Sequence, residues 1–455
     1  MDRRSFVQMS AVTLAAGWSS GHRPHRFARE LPLPSASQLA WQRDELAMFL
    51  HFGVNTFTDR EWGDGRESPT IFDPARLDTR QWARTARAAG FRAMVLTAKH
   101  HDGFCLWPTA TTRHSVASSP WRGGAGDVVR EFVDACAAEG LKAGLYLSPW
   151  DRNHPSYGDS AAYNDVYAAQ LTELLTRYGK IAEVWFDGAN GEGPNGRRQV
   201  YDWPRVFGLV RRFQPDAVIF SDAGPDVRWC GNERGVAGDP NWSTVDPKAV
   251  SFPGQSGDGV EAALQHGHEE GSIWRPAEVD VSIRPGWFHH PAQDAAVRDV
   301  DNLVELYFTS VGRNAKLLLN VPPTRDGVIH DVDAARLLGL RNRLDRMFGN
   351  PLPLRQIEFR PPAAAGARVE WELRRPASPR IARISEDITR GQRVASYHLE
   401  GSQGGRWQTL ARGTTIGHAK LDRLADGPVF RRIRLVIDEW VATPEPVSLQ
   451  LFDQA

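Results

Sequence analysis

The sequence predicts an α/β protein: a (β/α)8-type barrel, irregular in its later part, followed by a C-terminal β-sandwich. Three observations carry this expectation. Apolar strand-like runs alternate with helix-like stretches from Ala47 to Val321, which calls for a parallel sheet. Candidate functional side chains recur where those strands end: His51, His100 and His101, Tyr146, Trp185 and Asp187. Side chains gathered from many strand ends are the layout of a barrel active site. Beyond about residue 355 the pattern changes to short alternating strands roughly ten residues apart, as in a small sandwich.

Each element follows in turn. Ala47–Phe57 reads as the first strand and Thr79–Ala89 as a helix closed by Gly90. Arg92–His101 is the second strand, then a helix over Val128–Glu139 closed by Gly140, then a strand over Lys142–Trp150. Tyr163–Tyr178 carries a helical stripe of Tyr167, Leu171, Leu174, Leu175 and Tyr178, ended by Gly179. Ile181–Asp187 and Ala217–Ser221 are strands flanking the helix Trp203–Phe213; Val300–Gly312 and Ala315–Val321 form a last helix–strand pair. Residues 224–300 read as loops and short strands, hence the expected irregularity. No GxGxxG, Walker A or nucleophile elbow supports an open nucleotide-binding or hydrolase sheet. The sandwich strands are Arg355–Phe359, Arg368–Leu373, Arg380–Ser385, Val394–Glu400, Trp407–Arg412, Phe430–Ile437 and Val447–Phe452, with the Pro- and Ala-rich Pro361–Gly366 between the first two. The expected division is a leader and linker over residues 1–33, the barrel over 34–350 and the sandwich over 351–455.

The chain has 455 residues, 41% hydrophobic and 24% charged, enough to bury a full core. Lys+Arg 55 balance Asp+Glu 55, so nothing electrostatic favours a nucleic-acid partner or an anionic membrane. Three separated cysteines, Cys105, Cys136 and Cys230, make neither a disulfide framework nor a zinc cluster. Met1-Asp2-Arg3-Arg4-Ser5-Phe6-Val7 is a twin-arginine start before a mildly apolar stretch to Trp18, the layout of a bacterial chain exported already folded. The expected location is the periplasm or the exterior, without a membrane anchor, since the stretch is too short to span a bilayer.

The chemistry concentrates in two carboxylates. Asp187 ends an apolar strand in Trp185-Phe186-Asp187-Gly188, where the following glycine allows a sharp turn or a close ligand. Glu233 lies in the turn Arg228-Trp229-Cys230-Gly231-Asn232-Glu233. Two carboxylates among aromatic walls and imidazoles are what retaining glycoside hydrolysis needs. Neighbouring strand residues point to opposite faces, so His100 and His101 would share a metal only if the strand had already ended. His51, His100 and His101 suit better as neutral donors to sugar hydroxyls, and neither a metal nor another cofactor is expected.

His51-Phe52-Gly53, Glu61-Trp62-Gly63, Lys99-His100-His101-Asp102-Gly103-Phe104, Trp107, Tyr146, Trp185-Phe186-Asp187-Gly188 and Gly231-Asn232-Glu233 together resemble the α-L-fucosidases of glycoside hydrolase family 29. The resemblance runs from about Gln38 to Val321. Trp229-Cys230-Gly231-Asn232-Glu233 and the segment Glu278–Phe288 resemble the branch acting on α-1,3- and α-1,4-linked fucose. The resemblance implies an exo-acting, retaining enzyme for fucosylated oligosaccharides or glycoprotein glycans. Asp187 would be the nucleophile and Glu233 the acid/base. His51, His100, His101, Tyr146, Trp185 and Arg228 would bind fucose, with Glu61 and Trp62 bordering the pocket and Trp62 against the C6 methyl. Glu278, Asp280, Arg284 and Trp287 would reach a neighbouring sugar. A retaining exo-glycosidase for another sugar, a non-catalytic sugar-binding protein and a metal-dependent hydrolase are the competing readings.

Overall fold

The computed structural model describes residues 30–363 and 366–454, so the twin-arginine start lies outside the described residues. Eight parallel strands close a barrel: β1 (Leu46–Leu50), β2 (Ala93–Lys99), β3 (Lys142–Leu147), β4 (Glu183–Trp185), β5 (Val218–Ser221), β6 (Val227–Trp229), β7 (Ala277–Ser282) and β8 (Ala315–Asn320). They follow one another in chain order around the barrel, with β8 closing onto β1 through the register Leu46 to Leu317. Both faces of such a sheet are covered, which is why the strands read as nearly unbroken apolar runs. Met48, Leu50, Met94, Leu96, Leu145, Val279 and Leu317 face outward beneath the helices, while Ala47, Phe49, Val95, Tyr146, Trp185, Phe220 and Leu318 fill the interior.

The helices are α1 (Ala36–Asp44), α2 (Thr79–Ala88), α3 (Val128–Glu139), α4 (Ser160–Arg177), α5 (Trp203–Phe213), α6 (Val300–Thr309) and α7 (Asp331–Phe348), besides two shorter ones. Aspartates cap five of them: Asp78, Asp127, Asp159, Asp202 and Asp299 each accept a backbone N–H of the first turn. Helix α7 was not expected. Its apolar stripe is narrow, Leu337, Leu340, Leu344 and Met347 among arginines and aspartates.

The expected irregularity is real and lies in two connections. From β5 to the parallel β6 the chain needs only residues 222–226, with no crossover helix. The Asp226 carboxylate accepts from the Ile219 N–H, and the Ser221 hydroxyl donates to the Gly224 carbonyl, so the tight loop satisfies its own polar groups. Between β6 and β7, residues 230–276 hold the short helix Val260–His266 and a two-stranded ribbon of Thr244–Val245 with Ile273–Trp274.

The first strand stops at Leu50 rather than running to Phe57. The His51 N–H goes to the Asn320 side chain and the Phe52 N–H to the Thr97 hydroxyl, after which Val54–Thr58 turns into a short helix. The ladder has ended there, and the His51 side chain is held instead by Asn320 at the end of β8.

The C-terminal part comprises β9 (Leu354–Ala363), β10 (Gly366–Ala377), β11 (Ile381–Ser385), β12 (Val394–Gln403), β13 (Arg406–Gly413), β14 (Lys420–Arg423), β15 (Phe430–Trp440) and β16 (Ser448–Phe452). An antiparallel sheet in the order β9-β10-β15-β12-β13 faces a three-stranded sheet β14-β11-β16 across one apolar core. Strand β14 was not expected. Pro361 and Pro362 sit inside β9 rather than between strands; β9 is an edge, and the register slips between Arg360 and Ala363, so the missing N–H groups break no central ladder. Ile381, Leu421 and Phe452 join the barrel's outer apolar layer, and Arg383 pairs with Glu45.

Candidate active site

The site assembles where the barrel strands end. Asp187 follows β4 by two residues. Its Oδ2 accepts the Tyr146 hydroxyl at 3.0 Å, its Oδ1 accepts the Ala189 N–H at 2.7 Å, and His101 Nε2 lies 3.9 Å from Oδ2. Gly188 is required by close packing: a Cβ there would stand 2.0 Å from Asp222 Oδ2 and 2.9 Å from the Gly254 nitrogen. Asp222, at the end of β5, accepts the Gly254 N–H at 2.9 Å and so clamps the 246–258 loop beside Asp187. Burial pushes its carboxyl up to about 6, against the Gly254 hydrogen bond and with the help of the Asp187 charge. Asp222 was missed in the sequence; a lone Asp in Phe220-Ser221-Asp222-Ala223 carries no signal until its partners are known.

Strand β2 ends at Lys99, so His100 and His101 are released from strand alternation and their rings lie 4.1 Å apart. Lys99 points outward into a buried cluster with Asp151 at 3.1 Å, Tyr163 and Gln170, anchoring the motif from behind. His101 Nδ1 lies 2.7 Å from the Ser148 hydroxyl, which gives its only proton to the Trp150 carbonyl. His101 is therefore the donor in that pair, and in its neutral form it turns the Nε2 lone pair toward the pocket. Where a donor was expected, the neutral ring in this tautomer presents an acceptor. Burial lowers the pKa of all three imidazoles, His51 to about 3. Among the described residues no group of three or more His, Cys, Asp or Glu is placed to hold a metal ion.

The aromatic wall is continuous. The Trp185 ring stacks on Phe220 at 4.1 Å and leans on Tyr146 at 5.2 Å, and His51 sits between Phe49, His100, Trp287 and Phe288. Trp62 is 55% exposed and meets His101 and Trp150 edge-on at the rim. Glu61 accepts the Trp287 and Phe288 N–H groups and bonds His290 Nε2 at 2.9 Å, so it braces the loop that carries Trp287. From that loop Trp287 Nε1 donates to Glu233 Oε2 at 3.3 Å. Partial burial raises the Glu233 pKa, the Trp287 bond opposes this, and the Asp187 and Glu61 charges add to it.

Four expected site residues stand elsewhere. Arg228 alternates with the inward Val227 and Trp229, so it points out of the barrel. There it donates to the Leu264 and Arg275 carbonyls and to Asn241 Oδ1, on the far side of the barrel wall from the pocket it was expected to line. Glu278 lies in the barrel interior, accepting from Trp185 Nε1 at 3.3 Å with Lys316 Nζ 3.8 Å away; it supports the Trp185 ring from below. Asp280 is buried and accepts from Trp229 Nε1 at 2.7 Å. Arg284 is fully buried, paired with Asp333 at 2.8 Å and Asp294 at 2.7 Å. Alternation along β7 buries Glu278 and Asp280 in the barrel interior, where Asp280 feels the Glu233 and Asp187 charges, and the ion pairs just after it bury Arg284; of that segment's four candidates only Trp287 reaches the rim.

A closed parallel barrel with two carboxylates, imidazoles and indoles at its C-terminal mouth is the architecture of a glycoside hydrolase. Residues 66–346 match the family model of alpha-L-fucosidase. Alpha-L-fucosidase 1 of Arabidopsis thaliana is 42% identical over 95% of this chain and 90% of its own length. A glycoside hydrolase 29 family member from an unknown rumen bacterium superposes with a TM-score of 0.83 at 39% identity, over 93% of this chain and 77% of that one. A Ruminococcus gnavus GH29 fucosidase solved in complex with fucose superposes at 0.81 with 29% identity, over 94% of both chains. This chain belongs to the α-L-fucosidases of glycoside hydrolase family 29. It is a hydrolase of fucosylated glycans.

Proposed function

We propose that the enzyme is an exo-acting, retaining α-L-fucosidase using Asp187 as nucleophile and Glu233 as acid/base. Asp187 attacks the anomeric carbon while Glu233 gives its proton to the departing glycan oxygen. Water, deprotonated by Glu233, then hydrolyses the fucosyl-enzyme, and two inversions return the original configuration. The observation that carries this reading is the contrast between the two carboxylates. Asp187 has a donor on each oxygen, which suits a carboxylate held for attack; Glu233 sits where burial and neighbouring negative charge favour the protonated form. His51, His100, His101, Tyr146 and Trp185 would hold the sugar's hydroxyls, and the exposed Trp62 its C6 methyl.

Asp187→Ala should lose about 10⁴-fold or more in rate, as expected on removing a nucleophile. Glu233→Ala should slow natural glycans far more than an aryl fucoside with a good leaving group, and azide should restore rate through a fucosyl azide of retained configuration. Equal losses on both substrates without azide rescue would remove Glu233 from the role.

The preference proposed is for α-1,3/1,4-linked fucose at a branch. The support is the rim: Trp287 and Trp150, each packed against an imidazole of the pocket, offer aromatic faces beside it for an adjoining sugar. The measurement is kcat/KM on a branched Lewis-type trisaccharide, a 2′-fucosylated lactose and an aryl fucoside. Equal values, or a preference for the 2′-linked sugar, would defeat it. The twin-arginine start supports export to the periplasm or beyond, tested by cell fractionation with Arg3→Lys and Arg4→Lys.

A further inference from the structure

We infer that Asn320 is a positioning residue that joins sugar recognition to the general acid, by locking His51 as its Nδ1–H tautomer and holding the Trp287 backbone with the other end of the same amide. The inference rests on the pocket and acid/base roles proposed above.

Asn320 closes β8 and is fully buried, with every polar atom engaged. Its Oδ1 lies 3.3 Å from the His51 backbone nitrogen and 2.9 Å from His51 Nδ1. Its Nδ2 donates to the Ser282 hydroxyl at 2.9 Å and to the Trp287 carbonyl at 2.8 Å. This orientation is dictated at both ends. The Trp287 carbonyl can only accept, so the amide nitrogen must face it; the His51 N–H can only donate, so the amide oxygen must face that. A flipped amide would set oxygen against oxygen and N–H against N–H. With oxygen at His51 Nδ1, that ring nitrogen must carry the proton. Among the described residues His51 Nε2 has no hydrogen-bond partner, and the ring stands among His100, Tyr146 and Trp287, so a neutral His51 offers the pocket a lone pair. The sugar hydroxyl that meets it must donate.

The other half of the amide acts on Trp287. Glu61 holds the Trp287 nitrogen and Asn320 its carbonyl, which fixes the backbone from both sides. The indole then spans from the His51 ring, 5.1 Å away, to Glu233 Oε2. One side chain thus sets both what the pocket recognises and where the acid stands.

Asn320→Asp keeps the shape and the acceptor at His51 but places an acceptor against the Trp287 carbonyl and removes the donor to Ser282. A carboxylate at Nδ1 also favours the imidazolium, turning Nε2 from acceptor to donor. The titratable groups facing His51 are His100 and His101 beyond β2 and Tyr146 on β3, with Asp187 behind Tyr146; none of them is altered by the substitution. In Asn320→Asp, kcat/KM should gain an acid limb absent from the wild type. Free L-fucose should bind about 10- to 100-fold more weakly on the acid side, the scale of an unmade buried hydrogen bond. Histidine-selective ¹⁵N spectra of the wild type, with His51 assigned by the signal lost in His51→Gln, should show the Nδ1–H tautomer. A wild-type Nε2–H tautomer would overturn the inference without relying on the Asn320 variant, as would Asn320→Asp with unchanged pH profile and fucose affinity. Fucose binding and the tautomer need no turnover, so they answer separately from the Asp187 and Glu233 variants.

Discussion

Replacing Arg228 by Met separates a structural role from a binding one. Arg228 is 1% exposed, and its guanidinium serves three acceptors at once: the Leu264 carbonyl at 2.9 Å, the Arg275 carbonyl, and Asn241 Oδ1 at 2.7 Å. The Leu264 carbonyl is an orphan at the end of the Val260–His266 helix, and Asn241 hands its own amide on to the Arg313 carbonyl. Methionine keeps the straight stem but none of the donors. Each buried acceptor left without a partner costs about 1–3 kcal/mol. Against this, the wild type buries a guanidinium with no acid among its hydrogen-bond partners, and burial pushes its pKa down to about 9, so the variant recovers part of a desolvation cost. The net expectation is a loss on the order of 3 kcal/mol, since relief of one charge does not offset three stranded acceptors. Urea unfolding should show a lower midpoint with an unchanged slope. Steady-state kinetics on an aryl fucoside should show KM within about twofold of wild type, because the side chain lies outside the barrel wall. A variant of wild-type stability whose KM rises tenfold or more would refute this and return Arg228 to the sugar.

Two further outcomes follow from the site. Trp287→Phe keeps an aromatic ring against His51 but removes the hydrogen bond that stabilises the Glu233 carboxylate. The Glu233 pKa should rise further, and since the acid works protonated, the alkaline limb of kcat/KM should move to higher pH; a move to lower pH would contradict the assignment. Gly188→Ala drives a methyl into Asp222 and the Gly254 backbone, shifting the turn that aims Asp187. A loss of about 100-fold in kcat is expected for a displacement near 1 Å, and an unperturbed kcat would show that the turn absorbs the methyl harmlessly.

Much of the site was legible because motif residues cluster at strand ends, where a polar side chain has no structural excuse. Asp187, His51, His100 and His101 were found that way, and the structure gathers all four around one pocket. The residues behind them were not legible. Asp222, Ser148 and Asn320 are ordinary polar residues whose partners lie as far off as 269 positions in sequence, and only the closing of β8 onto β1 brings Asn320 to His51. The charged residues of the segment Glu278–Phe288 were not legible for a related reason. Its charges looked like a sugar-binding surface, but Glu278 and Asp280 face the barrel interior and Arg284 is buried in ion pairs.

Periodicity and composition are local properties, and they were sufficient for the alternating α/β pattern, the sandwich strands other than β14 and the carboxylate after β4. Helices α3 and α5 match their sequence-read bounds residue for residue, because capping aspartates and apolar spacing act within a few residues. Facing, partnership and protonation are not local. Whether a strand residue looks into the barrel depends on where its ladder begins, and a one-residue change of register reverses it. The family resemblance implied that Arg228 lines the pocket, and the register of β6 turns it out of the barrel. Which nitrogen of His101 bears its proton likewise depends on a hydroxyl 47 residues away, and that hydroxyl meets the ring only once the barrel has closed.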